Sequence, residues 1–187
     1  MRLKHLFIAF LFTISTLAQK VNLSDSLSIS KLSKQQQLQK ILSIPYDKFV
    51  GDIQTSETLA EQAVDLAIEL KDSSSLAKAY LQMAEVYNYK DKREKKIYYN
   101  LKAINIYEKL GELSKAGYAY GALGYSIKRE DLKNALYYMR KGIQFIENSV
   151  DTAKIDAMFD NYGILQVMEK KYDSGLYYHN KSLIIKK

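Results

Sequence analysis

The chain has 187 residues, of which 47% are apolar, and contains 16 tyrosines, 8 glycines, one proline and no tryptophan. That length is enough for one domain with a sizeable core. The absence of cysteine excludes disulfides and a lipid-modified cysteine, and the formal net charge of +7 predicts solubility and weak attraction to anionic surfaces.

Arg2, Lys4 and His5 make a basic start, and the apolar run Leu6 to Leu17 follows it. Thr16, Leu17 and Ala18 then offer small residues at the −3 and −1 positions of a cleavage site. This is the pattern of a secretory signal peptide over residues 1–18. The run is short for a permanent anchor, which needs about 20 apolar residues. The chain is therefore expected to be exported, to a periplasmic or extracytoplasmic location. Losing Arg2 and Lys4 lowers the charge from +7 to +5. No basic block interleaved with aromatics stands out, so no nucleic-acid partner is expected. Residues 19–32, rich in serine, read as a polar linker.

Helical periodicity begins near Ser33, and Pro45 breaks or kinks this first stretch. A second helix is expected from Ser56 as N-cap to about Leu70, followed by a turn over Lys71 to Ser75. Further helices are predicted over Leu76 to Tyr89, Lys92 to Leu110, Ser114 to Lys128, Leu132 to Glu147, Thr152 to Glu169 and Tyr172 to Ile185. Gly111 suits the left-handed position after a helix end.

The stretch KIYYNLKAI at Lys96 returns as ALYYMRKGI at Ala135 and GLYYHNKSL at Gly175. The tyrosine pairs start at Tyr98, Tyr137 and Tyr177, spacings of 39 and 40 residues. A fixed period that holds two helices is the mark of a helical repeat array. The first helix of each unit carries QMAEVY, ALGYSI or NYGILQ, with a large residue (Met83, Leu123, Tyr162) before a small one (Ala84, Gly124, Gly163). An aromatic, Tyr80, Tyr120 or Phe159, lies three residues before the large one.

This arrangement resembles the tetratricopeptide repeat (TPR) family. The resemblance runs from about Ser33 to Lys187 and implies an all-α fold, a right-handed solenoid of helical hairpins. It covers three clear repeats and a degenerate N-terminal one, approximately 33–75, 76–113, 114–151 and 152–187. The period exceeds the usual 34 residues, Lys96 replaces a small residue, and Ile127 and Gln166 replace a tyrosine. Exported arrays of this kind look like the sensory regions of bacterial membrane-bound histidine kinases and helix-turn-helix regulators.

Stacking explains the repeated residues. Ala84, Gly124 and Gly163 are expected where the two helices of a unit meet; Ala103, Gly142 and Ser182 are expected where the next unit's first helix packs. Ile97, Leu136 and Leu176 share a helical face with Ile104, Ile143 and Leu183 seven residues on. Adjacent tyrosines point about 100° apart. Tyr99, Tyr138 and Tyr178 should face the core, and Tyr98, Tyr137 and Tyr177 the solvent boundary.

Catalytic residues, cofactors and metals are not expected. With the leader removed, His179 is the one histidine, and it occupies a position that packs. Asp156 and Asp160 read as a solvent face. The glycines of GYAYGALG follow no strand, so they serve helix packing rather than phosphate binding. By resemblance, the first helices line a concave groove. Its candidate contacts are Lys78, Leu81, Glu85, Asn88 and Tyr89, then Tyr118, Gly121, Tyr125, Lys128 and Arg129, then Ala157, Asp160, Ile164, Val167 and Met168. The middle set is aromatic and basic, which suits an extended peptide with an acidic group. The expected function is a non-catalytic protein-interaction module with a protein or peptide ligand. The alternative is the sensory half of a signalling protein, tethered to a membrane through a downstream segment. SLIIKK closes the chain without a polar capping helix, so a partner, a homodimer or a further segment would cover that end.

Overall fold

The computed structural model describes residues 31–186. The expected leader and most of the expected linker lie outside these residues. Among the described residues the protein is all-helical, with nine helices: α1 (Lys34–Leu42), α2 (Tyr46–Gly51), α3 (Ile53–Glu69), α4 (Ser73–Tyr89), α5 (Arg93–Leu110), α6 (Leu113–Ser126), α7 (Leu132–Glu147), α8 (Ile155–Met168) and α9 (Tyr172–Ile185).

Short side chains start several helices by bonding backbone N–H groups that have no partner within the helix. Ser33 and Gln36 cap α1 reciprocally. Asp52 accepts from Thr55 N–H at 3.1 Å, Asp72 from Ser75 N–H at 3.0 Å and Asp131 from Asn134 N–H at 3.1 Å. Two expectations change here. Asp52, not Ser56, caps α3; Ser56 is buried one turn in, and its hydroxyl donates to the Phe49 carbonyl. Likewise α4 starts at Ser73 rather than Leu76, because Asp72 captures the serines of the expected turn as a first helical turn.

Four turns share one geometry. Lys71, Asp91, Gly111 and Lys170 have φ of 55°, 53°, 68° and 63°. After each, the next N–H bonds back to a carbonyl five residues earlier, at 2.9–3.0 Å: Asp72 to Ala67, Lys92 to Tyr87, Glu112 to Tyr107 and Lys171 to Gln166. This is the Schellman helix end. α8 starts later than expected, at Ile155, since Lys154 is itself left-handed, with φ 61°.

From α3 onward each helix packs on the next, and α1 packs on α3 and α4. The largest core runs from Ala77 in α4 to Leu165 in α8; Leu38, Ile41, Leu42, Ala63, Leu66, Ala67 and Ala79 join α1, α3 and α4. Small residues let backbones touch. A Cβ on Gly124 would lie 2.7 Å from the Ala135 carbonyl oxygen, and one on Gly163 would lie 3.1 Å from that of Gly175. Ala84, Ala103 and Ser182 are buried. Gly142 differs from its expected role. A Cβ there would meet the Gly117 carbonyl oxygen at 2.6 Å, whereas the following helix α8 contributes only the Met158 tip at 2.9 Å. The tightest constraint on Gly142 thus comes from α6, its own hairpin partner.

The second tyrosine of each pair packs on aromatics of the preceding helix. Tyr99 lies 5.8 Å from Tyr80 and 5.5 Å from Tyr87, Tyr138 lies 6.1 Å from Tyr120, and Tyr178 lies 6.1 Å from Phe159 and 4.6 Å from Tyr162. Tyr98, Tyr137 and Tyr177 are exposed. The aliphatic face behaves unevenly. Ile104, Leu136 and Ile143 are buried and Ile97 packs on the core, but Leu176 and Leu183 of α9 are 61% and 58% exposed.

Candidate functional site

Two adjoining hollows of about 440 Å³ each open between α1, α4 and α6. Leu42, Lys78, Leu81 and Tyr118 line both. The inner hollow is walled by Ile44, Phe49, Gln82, Glu85, Asn100, Ala119 and Ala122; the outer adds Ser74, Ser75, Tyr107 and Lys115. Residues 78, 81, 82 and 85 fall on one side of α4 because they recur at helical spacing. Ala119 and Ala122 leave room where larger side chains would fill the space.

The structure brings together Lys78, Leu81, Glu85 and Tyr118 of the expected groove. It adds Leu42, Ile44 and Phe49, which the sequence reading missed because α1, α2 and the turn between them lack the repeat pattern, and Gln82 of the repeated block QMAEVY, which that reading did not place in the groove. The remaining candidates lie elsewhere. Asn88 is half-buried and Tyr89 exposed near the end of α4. Gly121 is no groove position: it is buried, and a Cβ there would meet Met158 Cε at 2.6 Å. Tyr125, Lys128 and Arg129 gather at the end of α6, where the Lys128 ammonium stands 3.4 Å from the Tyr125 ring centroid. Ala157, Val167 and Met168 are exposed on α8, and Ile164 is half-buried.

Asp160 is engaged by His179, whose Nδ1 lies 2.8 Å from the carboxylate oxygen. The same imidazole packs over Gly163. Asp156 faces Lys186 at 3.9 Å. Among the described residues no group of three His, Cys, Asp or Glu side chains could hold a metal ion.

Two residues of the walls each hold one polar atom that is sealed from solvent and unpaired among the described residues. Gln82 Oε1 and Tyr118 Oη are buried without a hydrogen-bond partner, although Gln82 Nε2 donates to the Ile41 carbonyl at 3.2 Å. Each such atom costs about 1–3 kcal/mol while unpaired. Burial, reinforced by Asp151 and Asp156, pushes the Tyr118 phenol above its usual range. It therefore stays protonated and able to donate. At the outer hollow, Lys115 is held by Glu112 at 3.0 Å and donates to Ser74 at 2.9 Å. The Lys78 ammonium meets no partner among the described residues. The arrangement suits binding: an apolar floor and a cation at the rim.

No helix of the described residues is long and apolar enough to cross a membrane. The chain matches no protein-family model and no curated protein. Among solved structures it is similar to the crystal structure of BtubC (BKLC) from P. vanneervenii, with a TM-score of 0.65 at 16% identity. The match covers 73% of this chain and 57% of that one, and at this identity what the two chains share is the fold.

Proposed function

We propose that the protein is an exported, non-catalytic interaction module of tetratricopeptide type, which holds a peptide or protein segment in a concave groove. Three features support a right-handed solenoid of hairpins: the recurring sequence blocks, the helix-on-next-helix packing, and the equivalent placement of Tyr99, Tyr138 and Tyr178. The observation that carries the binding function is the apolar groove between α1, α4 and α6, with the Lys78 ammonium at its rim. Screening a displayed peptide library against the purified chain tests this reading. Ala122→Trp, which fills the inner hollow, should abolish selection, while Tyr125→Ala/Arg129→Ala leaves it intact. Unchanged selection by Ala122→Trp would refute the groove.

One observation favours a second reading, the sensory region of a larger membrane-bound signalling protein. The α9 face bearing Leu176 and Leu183 is open where its counterpart on α7, Leu136 and Ile143, is buried. A further helix docked as α8 docks on α7 would cover it. Expression with the natural downstream coding sequence tests this: a cooperative unfolding midpoint identical to that of residues 1–187 alone would count against such a helix.

A further inference from the structure

We infer that the two hollows together hold a small single-chain amphipathic acid, its anionic head in the outer hollow and its apolar tail in the inner one. The inference shares with the reading above only the groove's ability to bind, and it names an occupant of another class. The hollows differ in character although they share walls. Lys78 and Lys115 both line the outer one, Ser74 and Ser75 add hydroxyls there, and no described carboxylate lines it. The inner one is floored by Leu42, Ile44, Phe49, Leu81, Ala119 and Ala122. At about 440 Å³, each lies within the usual range of small-molecule sites.

Positions along α4 set the direction of the ligand. Lys78 stands where the two hollows meet and has no described partner, so its charge is open to an anion. Lys115 keeps its ion pair with Glu112 and adds a second positive group to the same rim. Glu85 lines the inner hollow seven residues beyond Lys78, about 10 Å further along the helix axis. An anionic head beside Glu85 would be repelled, and one beside Lys78 is attracted, so the head lies outward and the tail inward. The amides of the inner wall use their N–H groups within the fold: Gln82 donates to the Ile41 carbonyl at 3.2 Å and Asn100 to the Lys96 carbonyl at 2.9 Å. A neutral apolar molecule would leave the Lys78 ammonium unanswered, and a wholly polar anion would leave the apolar floor in water.

The test titrates the purified chain, by isothermal calorimetry at low ionic strength, with hexanoate, octanoate, decanoate and dodecanoate and with the alcohols of equal length. Each added CH₂ should tighten binding about two- to fourfold until the inner hollow is full, and no further beyond that. Each carboxylate should bind about two- to fivefold tighter than its alcohol. Lys78→Met should erase that difference without weakening the alcohols, which a merely structural role for Lys78 would not do. Ala122→Leu narrows the inner hollow and should move the best length to a shorter acid with the melting temperature unchanged. Ala122→Trp should weaken decanoate about tenfold or more. Leu176→Lys/Leu183→Lys, on the open α9 face, should change nothing. A carboxylate that binds no better than its alcohol, or an affinity that climbs with length without levelling, overturns the inference. So does binding that survives Ala122→Trp and is lost in Leu176→Lys/Leu183→Lys, binding to phosphatidylglycerol vesicles but not to dissolved decanoate, or a failure of every acid to bind. Peptides selected by the chain while no acid binds would leave the peptide reading standing and sink this one; acids bound while no peptide is selected would do the reverse.

Discussion

The Lys96 ammonium reaches from α5 to the end of α6, where it lies 3.0 Å from Glu130 Oε1 and 3.2 Å from the Ser126 carbonyl oxygen. Lys96 is only 4% exposed. A residue that departs from the small-residue rule of its repeat thus bonds a free carbonyl at the end of the next hairpin's first helix. Arg93 braces Glu130 from the other side at 3.3 Å.

Removing either partner should have unequal effects. Glu130→Ala leaves a buried ammonium with one carbonyl for company and should cost about 2–3 kcal/mol. Lys96→Met keeps the packing and leaves Glu130 with Arg93 and solvent, so about 1 kcal/mol or less is expected. Urea unfolding of the two variants checks this, and equal losses would contradict it.

Glycines in contact with backbone should tolerate no methyl group. Gly142→Ala places Cβ against the Gly117 carbonyl and should destabilise by about 1–3 kcal/mol. Gly51→Ala meets nothing within 4 Å and should be neutral or stabilising, by up to about 1 kcal/mol. Thermal denaturation of the pair gives opposite shifts if the close approach of α6 and α7 is what excludes the side chain.

Three of the four Schellman ends use a non-glycine residue at positive φ, which is unfavourable for an L side chain. Lys71→Gly, Asp91→Gly and Lys170→Gly should each stabilise by about 0.5–1 kcal/mol, the relief of strain exceeding the added unfolded-state entropy. Gly111→Ala should destabilise by a similar amount. Calorimetry would show the triple glycine variant melting several degrees higher.

The aspartate caps predict an acid-sensitive fold. Hydrogen bonds from Thr55, Ser75 and Asn134 hold the Asp52, Asp72 and Asp131 carboxyls below their ordinary values. A depressed folded pKa means the contribution is present above the unfolded aspartate value of about 3.9 and is lost as pH falls through the folded values. Asn also caps well but does not titrate. The Asp52→Asn/Asp72→Asn/Asp131→Asn variant should therefore lose less melting temperature than the parent between pH 5 and pH 2.5, and an identical slope would refute the linkage.

Much of the helical core was legible because it is periodic. Leu136 and Ile143 lie seven residues apart, Gly124 recurs in register with Ala84 and Gly163, and the alternation of Tyr137 and Tyr138 follows from the angle between neighbours on a helix. Boundaries were less legible where two good caps compete. Asp52 and Ser56 are both acceptable N-caps, and what separates them is the Phe49 carbonyl brought over Ser56 by α2. Among the turns, Gly111 announced itself, whereas Lys71, Asp91 and Lys170 adopt the same left-handed conformation without glycine.

The sequence by itself determined the helices from α3 onward, their pairing order and which face of each carries apolar side chains, because those depend on spacing along one chain, whereas the short α2 carries no such spacing. Only the tertiary structure decided the groove. Leu42, Phe49, Gln82 and Tyr118 come from four helices, of which α1 and α2 lack the pattern that α4 and α6 share, and their meeting depends on how α1 and α2 settle against α4 and α6. It also decided that Gly121 is sealed by Met158, that Asp160 is held by His179, and that Leu176 and Leu183 stay open. Each is a long-range contact, set by the packing of whole helices rather than by the preferences of neighbouring residues.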